Sequence, residues 1–158
     1  MMPYSLTADD LLERFSQQRL VELTDPTGAA RDDAKIELAA LDAAGELEMA
    51  AARYYQVPLT PFTQGLRVIF LDLWAWRLVF NNRPEWLNTA DPADDNYALV
   101  RRRKELDAWL KAIANGDPEK RQVIAGCEPL TSTPEPSSGG AWSKGGGNVM
   151  TRESLLKL

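Results

Sequence analysis

Three pairs of adjacent acids, Asp9-Asp10, Asp32-Asp33 and Asp94-Asp95, are the first places where this chain could do chemistry. Two carboxylates held together can divide the roles of general acid and general base. Each pair stands where a helix is expected to begin, and there a carboxylate satisfies free backbone N–H groups and complements the helix dipole. Capping accounts for the pairs more simply than catalysis. Asp72 is a different case. It lies in the apolar run from Leu66 to Phe80 with Arg67 and Arg77. Charges five residues apart on a helix point about 140° away from one another, so at least one should be buried and paired. Asp72 is the candidate, as an ion-pair partner rather than a proton-transfer group.

The remaining chemistry is sparse. The chain has no histidine and one cysteine, Cys127. This removes the commonest general base and excludes a Cys/His metal cluster and the Ser-His-Asp and Cys-His arrangements. Lys144-Gly145-Gly146-Gly147 lacks the strand and helix that would make it a phosphate cradle. The expectation is a chain that is not an enzyme, with no cofactor and no metal. Cys127 reads as an incidental loop thiol in a reducing compartment. Of five tryptophans, Trp74, Trp76 and Trp109 fall in core patterns, whereas Trp86 and Trp142 fall in loop or linker sequence, where an aromatic either meets a partner or folds back.

The elements that hold these residues read as helices. Thr7 is an N-cap for a short first helix with Leu11, Leu12 and Phe15, and Leu20 and Leu23 extend its pattern to the turn Asp25-Pro26-Thr27-Gly28. A second helix is expected over 32–54, with Ile36, Ala40, Ala43, Leu47, Ala51 and Tyr54 on one face and Gly45 marking a close crossing. Thr60-Pro61 fits the start of a third helix reaching about Asn81, apolar at twelve of the fifteen positions 66–80 and so surrounded on most sides. A fourth carries Leu99, Leu106, Leu110 and Ile113 and ends at Gly116 in a left-handed cap. Its run Arg101-Arg102-Arg103-Lys104 reads as solvated surface, the alternative being contact with an acidic partner or with acidic neighbours on another copy of the chain.

Fold class is therefore all-α, a small bundle of about four main helices with a long, mostly irregular C-terminal arm. The body, 1–116, carries 13 basic and 18 acidic residues, a balance that phosphate backbones repel. A Gly/Ser/Pro-rich linker, 117–148, leads to a docking segment, 149–158. Such a linker cannot pack a core. The expected partner-binding residues are Trp142, Val149, Met150, Arg152, Leu155, Leu156 and Leu158. The run 66–80 is too short and too charged to span a membrane. The chain reads as soluble and made in the cytoplasm.

Larger patterns carry a resemblance. Tyr4-x-x-Thr7, Leu20-x-x-Leu23-Thr24-Asp25, Ala40-Leu41-Asp42-Ala43 with Glu46-Leu47, Arg53-Tyr54-Tyr55-Gln56-Val57-Pro58-Leu59, Asp72-Leu73 with Ala75, and Ala108-Trp109-Leu110-Lys111-x-Ile113-Ala114-x-Gly116 together resemble the virion neck proteins of Mu-like phages and prophages. The resemblance spans roughly 4–116, with Arg53, Tyr54, Val57, Pro58, Leu59 and Asp72 as structural motif residues. It implies a head–tail connector, or adaptor, at the virion neck: a dodecameric ring beneath the portal protein, with a tail-side neck or tail terminator protein below and genomic DNA passing through without sequence-specific binding. Met150 to Leu155 resembles the arm of such subunits. One arm gains about as much from burying its apolar residues as it loses in ordering its backbone, so docking would rely on many copies acting together. A second reading is a small acidic helical interaction or regulatory module that binds one host or phage protein through its tail.

Overall fold

The computed structural model describes residues 3–94, 96–117 and Cys127. Four α-helices, α1 (Gln17–Thr24), α2 (Asp33–Ala51), α3 (Gln64–Asn82) and α4 (Tyr97–Ala114), are joined with 3-10 turns at Pro3–Ser5, Ala8–Glu13 and Pro84–Leu87. No β-strand occurs among the described residues, so the all-α expectation holds.

The amino-terminal stretch is two elements where the pattern suggested one. Asp10 accepts hydrogen bonds from the Thr7 amide at 2.7 Å and the Thr7 hydroxyl at 3.0 Å, which fixes the 3-10 turn. Ser16 then leaves helical geometry and its hydroxyl accepts from the Arg19 amide, starting α1 afresh. Leu11, Leu20 and Leu23 are buried as the apolar pattern requires, while Leu12 is exposed.

Asp32 caps α2 by accepting from the amides of Ala34 and Lys35 at 3.1 and 3.3 Å. Ile36, Ala40, Ala43, Leu47 and Ala51 form its buried face. The helix stops at Ala51, three residues short of the expected end, because the Tyr54 and Tyr55 amides both turn back to the Ala51 carbonyl. Both tyrosines are nevertheless buried. Gly45 marks no close crossing within the chain: it is exposed, and a Cβ there would meet nothing within 4 Å.

The third helix starts later than expected. Thr63, not Thr60, is its cap, accepting from the Leu66 amide at 3.3 Å. Ahead of it Phe62 stacks on Tyr4 at 4.2 Å and meets Phe70 edge-on, so residues 60–62 are laid over the core before the helix can begin. Residues Val57–Pro58 and Thr60–Pro61 are joined by cis peptide bonds. Once started, α3 is the central helix, packed against α1, α2, α4 and two of the 3-10 turns. Trp74 is fully buried and donates its indole N–H to the Ile36 carbonyl at 2.9 Å.

The fourth helix buries Leu106, Leu110 and Ile113, with Leu99 half-buried against the core. Asp94 accepts from the Asn96 amide at 2.7 Å just before it. At its far end the Gly116 amide donates to Ile113 and the Asp117 amide to Ala112, with Gly116 at φ +80. This is the left-handed cap the sequence predicted. Cys127 returns to the same body: it is buried and its thiol donates to the Pro61 carbonyl at 3.4 Å. Burial pushes its pKa up.

Candidate interaction surfaces

The three charges of α3 diverge, as their spacing requires, and each ties the helix to a different neighbour. Arg67 reaches Asp10 at 2.6 Å and Glu13 at 2.8 Å in the amino-terminal turn. Asp72 is buried and accepts from Arg14 on one oxygen and Arg102 on the other, each at 2.7 Å. Arg77 reaches Glu46 on α2 at 2.8 Å, and Arg103 on α4 pairs with the same carboxylate. With both oxygens taken by guanidinium groups, Asp72 holds helices together, which is the ion-pair role expected of it.

These pairs correct one expectation. Arg102 and Arg103 point inward to Asp72 and Glu46, so only half of the run 101–104 is the solvated surface expected. Burial pushes the Glu46 carboxyl up, but hydrogen bonds and charge from Arg103 and Arg77 outweigh it and hold the pKa below the ordinary 4.5. Asp25 is lowered by a different cause: amides of Thr27, Ala29 and Ala30 and the Thr27 hydroxyl all donate to its carboxylate.

Next to Asp72 lies an open cavity of about 520 Å³ lined by Arg14, Phe15, Arg19, Leu99 and Arg102. Arg19 donates to Asn96 and lies 4.1 Å from the ring centre of Trp86. Trp86 thus folds back onto its own body, one of the two outcomes open to it. No group of acids or cysteine suited to a metal ion occurs among the described residues, and no described helix is long and apolar enough to cross a membrane.

Two faces stand out because no described residue covers them. The first is the outer side of α2. Leu38, Leu41 and Met49 are 56%, 49% and 77% exposed, and Ala34, Gly45 and Ala52 are exposed between and beyond them. At 100° per residue these six positions fall within an arc of about 80°, centred opposite the buried face, and they extend over about 27 Å. No charged side chain interrupts the arc. Asp42 borders it on one side and Glu37 and Glu48 on the other. Lys35 and Arg53, nearer its ends, are turned to the Thr24 carbonyl and the Tyr54 ring.

The second face is on α3 and α4. The Trp76 and Phe80 rings stack with centroids 6.5 Å apart, and Phe80 is 50% exposed. They line a hollow of about 410 Å³ with Arg77, Val100, Arg103, Lys104 and Asp107, the last paired with Arg103 at 2.7 Å. Lys104 is exposed at its edge. An apolar ridge with an acidic rim and an aromatic hollow that carries the exposed Lys104 therefore lie on one chain, with Arg77 and Arg103 of the Glu46 cluster in the hollow's lining.

The sequence family described as Bacteriophage Mu, Gp36 matches residues 5–122, about three quarters of the chain. The chain belongs to the bacteriophage Mu Gp36 family. It is a Mu-like phage protein of the structural and morphogenesis class. No curated protein matches the sequence. Within this Gp36-family chain, the motif residues Tyr54, Leu59 and Asp72 are buried, whereas Arg53, Val57 and Pro58 lie at the surface. The expected docking residues Trp142, Val149, Met150, Arg152, Leu155, Leu156 and Leu158 lie outside the described residues. Sequence reasoning missed the outer face of α2. Its signal was present, since positions 34, 38, 41, 45, 49 and 52 repeat the same four-and-three spacing as the core face.

Proposed function

We propose that this Gp36-family chain is a head–tail connector subunit that assembles as a dodecameric ring below the portal, with DNA passing through and a tail-side neck or terminator protein beneath. The observation that carries the reading is the pair of faces that no described residue covers, on a chain from a phage structural family. A helix apolar on two opposite sides is at home only when both are covered, so α2 is built for an assembly. The acidic balance of the body suits a channel through which a phosphate backbone slides without sticking. The ion pairs of Asp72 and Glu46 brace the bundle rather than serve a reaction, in keeping with a protein that is not an enzyme and needs no cofactor.

In this reading the segment 149–158 docks on the portal or a neighbouring subunit, and the many copies in one ring make weak individual docking sufficient. Deletion of residues 149–158 tests it. The expected outcome is a chain that folds as before, filled heads and separate tails, and no infectious particles. Normal infectious particles from the deletion mutant would end the proposal.

A further inference from the structure

We propose that the outer ridge of α2 on one copy seats on the Trp76–Phe80 hollow of a second copy, forming a head-to-tail contact between unlike surfaces. This deepens the connector reading and rests on it for closure of the contact into a ring.

Charge selects the partner. If α2 met α2 of another copy, Asp42, Glu37 and Glu48 would face their own counterparts, and like charges opposed across an interface are costly. Neither Asp42 nor Glu48 has a basic partner among the described residues: Asp42 accepts from Asn81 and Glu48 from Tyr4, both neutral donors. Lys104, in the lining of the hollow, is exposed and has no acidic partner among the described residues. The acids of the ridge and Lys104 of the hollow complement each other.

Shape agrees with charge. Gly45 makes a notch between Leu41 and Met49 with open space above it, while Phe80 projects from the hollow with half its surface exposed. A projecting ring fits a notch between two large side chains as a knob fits a hole. The two faces are made of different residues on different helices, so one copy can offer both. Unlike surfaces used at once generate a ring or an open helix rather than a closed dimer.

The experiment uses the full chain, with native mass spectrometry and sedimentation as readouts. Leu38→Asp with Leu41→Asp disables the ridge, and Phe80→Asp with Lys104→Glu disables the hollow. Each variant alone should be monomeric, whereas a mixture of the two should give one-to-one heterodimers and nothing larger, since one ridge and one hollow remain intact. Gly45→Trp fills the notch at a position where the chain itself has room. It should melt no lower than the parent and still lose self-association by about tenfold or more, a loss of about 1.4 kcal/mol. A parent chain that stays monomeric at millimolar concentration, a ridge variant that self-associates unaided, or a mixture that stays monomeric would each overturn the inference. Particles that lack the chain at the neck, alongside self-association through these faces, would end the connector reading and leave this contact standing.

Discussion

Glu46 takes hydrogen bonds from Arg77 on α3 and Arg103 on α4 while itself belonging to α2, so a single carboxylate joins the three long helices. Its ionised form is the one the fold needs. Glu46, Asp10, Asp25 and Asp94 all titrate below their ordinary values in the folded chain. The unfolded chain therefore binds more protons than the folded one once the pH drops below about 4.5, and stability must fall as the pH falls further. It is fully present above that range and is lost through the folded pKa values beneath it. Melting temperature should hold between pH 7 and pH 5 and drop by several degrees toward pH 3. Glu46→Gln should melt a few degrees below the parent at pH 7, with the two curves drawing together at pH 3. A melting temperature that rises on acidification from pH 5 to pH 3 would contradict the role given to these carboxylates.

At the scale of elements, the end of α4 shows how one backbone conformation fixes a distant packing contact. Gly116 takes φ +80 to close the helix, and a Cβ there would lie 2.6 Å from the Tyr54 hydroxyl and 2.9 Å from its ring. Tyr54 is buried, 6% exposed, and has little room to retreat. Gly116→Ala combines left-handed strain with a steric clash and should cost about 1 to 3 kcal/mol, read as a lower denaturation midpoint. An unchanged midpoint would mean that Tyr54 moves freely. This contact also bounds what the sequence made legible. The glycine cap, the core faces of α2 and α3, and the pairing of Asp72 followed from spacing and residue type alone. The break at Ser16 and the start of α3 at Thr63 did not, because two hydroxyl-bearing residues compete at each site and the choice falls to tertiary packing, such as Phe62 against Tyr4. That Gly116 meets Tyr54 lay outside any local pattern, since 62 residues of chain separate them.

For the whole molecule, the decisive property is that α2 is apolar on two sides while the described residues cover only one. The amino-acid pattern contained both stripes, yet alanine, leucine and glycine at helical spacing do not say whether they face the chain's own core or a neighbour. Burial decides: one stripe is packed into the body and the other stands exposed. The core itself closes within the body: every buried residue described lies between Leu6 and Cys127. A chain ending at residue 128 keeps each of those contacts, including the Cys127 thiol on Pro61. It should therefore unfold with the midpoint of the full chain and self-associate through the ridge and hollow, yet fail to join heads to tails because segment 149–158 is gone. Thermal denaturation, sedimentation and particle counts read those three properties separately. A truncated chain that loses its folded midpoint would place part of the core beyond residue 128. One that folds but no longer self-associates would move the contact between copies from the two exposed faces to the arm.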